Sequence, residues 1–220
     1  MNLAFIGFAV VGIVFAIYAS TFYSLAGKRL PVFLRSYSFA YFSLALAFLI
    51  WAFASLNNEF LKNSVIIGDS LLLLGSIFLL NVLFNKNKNI KIFSVAVGII
   101  LSLLFIWLRI NYYQPMPFIE NGILVFNTQT IIAVILNLIF ILIWLPANLM
   151  AAKKVTANIS VEGMTYAYSF IYGVSTIAAI LFITFKTIPM VIISFVTLGI
   201  CFVMLLYSNY VISKLLPAKP

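Results

Sequence analysis

The stretch NSVIIGDSLLLLGSIFLLNVLF, residues 63–84, decides the fold. It holds one charge, Asp69, and is bounded by Lys62 and Lys86. A helix rises about 1.5 Å per residue, so about 20 apolar residues cross the hydrocarbon core of a bilayer. The stretch has that length and little polarity, and it reads as a transmembrane helix.

Working outward, charges cut the rest of the chain into six pieces of similar length: residues 1–23, 37–56, 90–110, 128–150, 159–185 and 187–213. Seven spans result, and the connections between them are too short for a soluble domain. Composition agrees. The 220 residues are 65% hydrophobic and 8% charged, with a mean hydropathy of +1.21. A soluble domain carries about 25% charged residues, so the solvent for this chain is lipid. The expected fold is an all-α integral membrane protein, a seven-helix bundle forming one domain over residues 1–220, multi-pass in the cell membrane. The first segment has no basic residue ahead of it, which favours a retained span over a cleaved signal.

Loop charges orient the bundle. Lys28, Arg29, Arg35, Lys86, Lys88, Lys91, Lys153, Lys154, Lys214 and Lys219 fall on one side, ten of the 13 basic residues. Basic residues collect in cytoplasmic loops, so the N-terminus is expected outside and the C-terminus in the cytoplasm. The net charge of +9 is then a topology signal, and no phosphate loop or stacking platform points to nucleic acid. The longer outer connection, residues 111–127, contains Asn121-Gly122 between short apolar runs. That pair favours a two-residue hairpin turn, so a small β-hairpin is expected between the fourth and fifth helices. Short loops also imply that helices adjacent in sequence pack as neighbours.

Chemistry is constrained mainly by what is scarce. The chain has no histidine, one cysteine (Cys201) and four acidic residues. This leaves no zinc or iron–sulfur ligand set, no paired carboxylates and no usual general base. The expectation is a non-enzyme with no catalytic residue, metal or cofactor. An intramembrane carboxylate is costly and marks a functional hypothesis, with a partner to be named. Counted from residue 63, Asp69 lies about 9 Å below the outer surface, with Arg109 and Lys186 on the same side. Either cation could hold it in a structural pair, or the group could form an outward polar pocket. Trp51, Asn137, Tyr172, Ser175 and Thr176 are candidates to line that pocket, expected between the outer halves of helices three to seven. Interhelical bonding and interface anchoring are the plainer readings of such residues. Gly12, Ala16 and Ser20 make a small-residue ladder for close helix approach, as do Tyr166, Ser169, Tyr172 and Gly173. Pro146 should distort the fifth helix.

Seven helices in this orientation resemble microbial rhodopsins, but the lysine that would carry retinal in the middle of the seventh helix is absent. The basic loop, residues 37–56 with Trp51 near the outer end, Glu59, and the Pro115, Pro117, Asn121, Gly122 loop together resemble the N-terminal seven-helix sensor module of bacterial histidine kinases and related signalling proteins. The resemblance implies a membrane sensor or ligand-binding module. No output domain follows Ser213, so signalling would pass through a separate membrane protein. The bilayer, that partner and a small molecule are the expected contacts. An accessory subunit of a membrane complex is the alternative, and a small transporter the second.

Overall fold

The structure is a computed structural model, and it describes residues 3–27, 31–111, 115–120, 122–156, 164–184 and 187–215. Four helices come first: α1 (Leu3–Leu25), α2 (Leu34–Ala54), α3 (Asn58–Leu83) and α4 (Lys88–Asn111). Two strands follow, β1 (Phe118–Glu120) and β2 (Ile123–Val125). A fifth rod runs through α5 (Thr130–Ile139), a π-helical turn (Phe140–Trp144) and α6 (Leu145–Thr156), before α7 (Met164–Thr184) and α8 (Ile188–Leu215). Among the described residues, α1 to α4 and the fifth rod are long and apolar enough to cross a membrane. α7 and α8 each contain a shorter apolar stretch, Ala167–Leu181 and Ile188–Cys201.

The third helix begins five residues earlier than hydropathy places it. Asn57 caps it, with its Oδ1 accepting from the Glu59 backbone N–H at 3.0 Å. An Asn cap satisfies one of the unpaired amides of the first turn. Asp69 is therefore about 16 Å along the helix from Asn58, near the middle of α3.

The strands pair antiparallel, Glu120 against Ile123 and Phe118 against Val125. Gly122 takes φ +77° in the connection, where a side chain would be strained; Asn121 lies outside the described residues. The Gly122 carbonyl accepts from the Ala4 N–H at 2.6 Å, which ties the hairpin to the start of α1. This end of the bundle is called the hairpin end below, and the end carrying Lys86, Lys88, Lys91, Lys153 and Lys154 the basic end.

Six rods close into a ring: α1, α2, α3, the fifth rod, α7, α8 and back to α1. α4 stands outside it, packed on α3, and exposes most of its surface; its buried residues are Phe105 and Arg109. Helices adjacent in sequence are thus not all neighbours. α3 reaches across to the π-turn and α6, because its small residues let the fifth rod approach and leave α4 on the outside.

Close approach is carried by single glycines. A Cβ on Gly12 would come within 2.8 Å of Leu49 and 3.1 Å of the Ala45 carbonyl, so the start of the first ladder brings α1 against α2. The second ladder does not work this way: a Cβ on Gly173 would meet nothing. Pro146 follows the π-turn, in which the Leu145 N–H reaches Phe140 O. A bond to the residue five back is the π pattern, and the distortion expected at Pro146 takes this form.

Candidate functional site

α3 forms the spine of the site. Gly68 and Gly75 lie seven residues apart, nearly two turns, and each seats a tryptophan from another helix. A Cβ on Gly68 would overlap the Trp51 indole, whose Nε1 donates to the Ser64 carbonyl at 3.1 Å. A Cβ on Gly75 would lie 3.0 Å from the Trp144 ring, and Trp144 Nε1 donates to Ser76 Oγ at 2.8 Å. Asp69 and Leu72 lie between these two supports and face an internal cavity of about 80 Å³.

Aromatic rings wall that cavity: Phe15, Phe48, Trp51, Phe126, Phe140 and Trp144. Trp51 packs edge-on against Phe126, with ring centres 4.8 Å apart, and against Phe48 at 5.1 Å. The fifth rod presents Leu136, Phe140, Trp144 and Asn148 to the cavity. Steps of four residues overshoot an α-helical turn by about 40° each. The wider π-turn in the middle of the series offsets that drift.

Polar groups break the aromatic wall. Ser175 and Thr176 donate back to the Tyr172 carbonyl at 2.9 and 2.8 Å, so their hydrogens are used. Three others have unused capacity. Tyr41 Oη donates to Asn148 Oδ1 at 2.9 Å, and the Asn148 amide nitrogen has no partner among the described residues. Arg109 Nε donates to Asp69 Oδ2 at 2.7 Å, and Asp69 Oδ1 accepts from no described residue. Thr128 Oγ1 is likewise unpaired among them. All three residues line the cavity and are only 5–6% exposed. Buried polar atoms nearly always have a partner, because an unmade bond in a low-dielectric interior is costly. The one fully buried side-chain atom without a partner among the described residues is Asn137 Oδ1; the three groups here reach the cavity space, where water or a ligand can supply the bonds.

Toward the basic end lies a second polar cluster. The hydroxyls of Tyr18, Tyr37 and Tyr172 form a triangle with sides of 3.0, 2.6 and 2.9 Å. Each hydroxyl has one hydrogen and can accept, so a cyclic arrangement lets every member donate once and accept once. The triangle joins α1, α2 and α7, and all three side chains are buried.

The residues expected from sequence to form one site separate here. Asp69 and Trp51 line the cavity. Arg109 does not; it stands behind Asp69 on α4. Asn137 does not either: its Nδ2 donates to Thr184 Oγ1 at 2.9 Å, and its buried Oδ1 has no partner among the described residues. Tyr172 belongs to the hydroxyl triangle. Lys186 lies outside the described residues, so the Asp69–Lys186 alternative does too. The walls come from α1, α2, α3, the hairpin connection, the fifth rod, α7 and α8, with nothing from α4; the enclosure expected from helices three to seven is corrected accordingly. Thr128, Asn148 and Tyr41 were not singled out as ligand groups by sequence reasoning. Among the described residues, no three His, Cys, Asp or Glu side chains gather to hold a metal.

No protein-family model, curated protein or solved structure matches the chain.

Proposed function

We propose that this chain is a seven-span membrane module that binds a small molecule inside its helical bundle, with the hairpin end outside and the basic end in the cytoplasm. The orientation draws on the side that holds ten of the 13 basic residues. One observation carries the binding reading: Asp69 Oδ1, Thr128 Oγ1 and the Asn148 amide nitrogen face one cavity with no partner among the described residues. Asp69 is already balanced by Arg109, so the ligand is neutral. It brings a hydrogen-bond donor to Asp69 and an acceptor to Asn148, with an apolar body for the aromatic wall. A water needs about 10–15 Å³ of such space, so a cavity of about 80 Å³ suits a molecule of few heavy atoms.

Asp69 gives this site a route outward. One carboxylate oxygen faces the ligand and the other holds Arg109 on α4, the helix outside the ring. A ligand that draws on Asp69 weakens its hold on Arg109, and a partner in the membrane would read the resulting shift of α4. The accessory-subunit reading draws on the same helix, whose Phe93, Ile100 and Leu103 are exposed and suit contact with another membrane protein.

Purification in mild detergent, followed by identification of the bound small molecule, tests the reading. Thr128→Val removes an unpaired hydroxyl and keeps the shape of the side chain. It should release the molecule and, against wild type stripped of the molecule, leave the thermal midpoint unchanged or raised. The same molecule retained at the same occupancy would count against the site.

A further inference from the structure

A second concavity lies on the outside of the bundle, where α4 leans away from the fifth rod. It measures about 320 Å³ and is lined by apolar side chains such as Leu80, Phe105, Ile139 and Ile143, with Gly98 and Ser102 of α4. Gly98 narrows the α3 side, since a Cβ there would come within 2.7 Å of Leu80. The slot is thus an apolar cleft between three helices.

The basic end gives this cleft a direction. Lys91, Gly98 and Phe105 follow one another at intervals of seven, so they share a face of α4 to within about 20° per step. Lys91 lies about 10 Å beyond Gly98 toward the basic end. Lys86 and Lys88, both exposed, belong to the adjoining turn and the start of α4, and the fifth rod ends at the same side with Lys153 and Lys154. Of the four acidic residues, Glu59, Asp69 and Glu120 lie toward the hairpin end or the middle; Glu162 is outside the described residues.

We infer that the cleft between α3, α4 and the fifth rod binds one anionic phospholipid. An acyl chain lies along Gly98, Ser102 and Ile139, and the phosphate headgroup sits among Lys86, Lys88 and Lys91. Apolar walls explain the chain, and lysines with no described carboxylate beside them explain the negative headgroup. The cleft shares no lining residue with the internal cavity.

The test is native mass spectrometry of the whole chain in mild detergent, after incubation with an equimolar mixture of phosphatidylglycerol and phosphatidylcholine of identical chains. Three lysines near a charged headgroup should favour phosphatidylglycerol by about tenfold or more. The triple variant Lys86→Gln, Lys88→Gln, Lys91→Gln, with its thermal midpoint checked against the wild type, should bind the two lipids equally. Ser102→Leu fills the cleft, keeps the lysines, and should lower retention of both lipids. Equal binding by the wild type, or an unchanged preference in the triple variant, would overturn the headgroup assignment. Undiminished retention in Ser102→Leu would overturn the cleft. A dimer peak lost in Ser102→Leu, with no lipid bound to the wild type, would assign the cleft to a second copy of the chain instead.

Discussion

Asp69 and Arg109 meet at 2.7 Å with both side chains buried, and they join the spine of the cavity to the helix outside the ring. Arg109 lies two residues from the end of α4, whereas Asp69 lies near the middle of α3. The pair therefore ties the end of one helix to the centre of another, and α4 buries no other charged group.

Removing Arg109 leaves the Asp69 carboxylate buried without a described cation, and removing Asp69 takes a buried carboxylate from Arg109. Such a loss costs about 3–5 kcal/mol, so Asp69→Asn and Arg109→Gln should each lower the thermal midpoint in detergent clearly. The double variant should cost much less than the sum of the two, because it removes both charges together. Additive losses would show that the two residues do not act as a pair.

The tyrosine triangle predicts a different pattern. Tyr37→Phe opens the cycle and leaves one hydroxyl without a donor and another without an acceptor, at about 1–3 kcal/mol. Adding Tyr18→Phe and Tyr172→Phe removes the stranded groups, so the triple variant should be no less stable than the single one. Thermal unfolding of the series checks this, and three equal successive losses would contradict it.

These two clusters were not equally legible in the sequence. Asp69 and Arg109 stand out because charges are rare within the apolar segments, and a carboxylate in lipid demands a partner. Tyr18, Tyr37 and Tyr172 did not stand out as a group, since tyrosine is common here and their meeting depends on how three helices are rotated. Thr128 and Asn148 were hidden for the same reason: hydropathy gives the length of a helix but hardly its facing. The hairpin could be read because Asn121-Gly122 is a local signal. The outside position of α4 could not, because its apolar residues resemble those of the ring helices; Gly75, which seats Trp144 of the fifth rod, explains how that rod comes to lie against α3 in its place.

Orientation has its own check. In a Cys201→Ser background, Met116→Cys should react with a membrane-impermeant thiol reagent in intact cells, and Asn87→Cys only after lysis. The opposite pattern would invert the assignment drawn from the loop lysines.

Thr128→Val separates binding from packing. The native hydroxyl is buried without a described partner, and replacing such a group by a methyl is neutral or stabilising when nothing else uses it. With both proteins freed of ligand, a midpoint that stays or rises, together with weaker ligand retention, is the expected result. A lowered midpoint would show that the hydroxyl holds the fold.

A ligand in the cavity beside Asp69 would be visible in a density map of the protein in lipid nanodiscs that resolves side chains. One continuous non-protein feature is expected within hydrogen-bonding distance of Asp69 Oδ1 and the Asn148 amide nitrogen. An empty cavity, a file of separate water peaks, or an Asn148 amide turned onto a protein partner would contradict it.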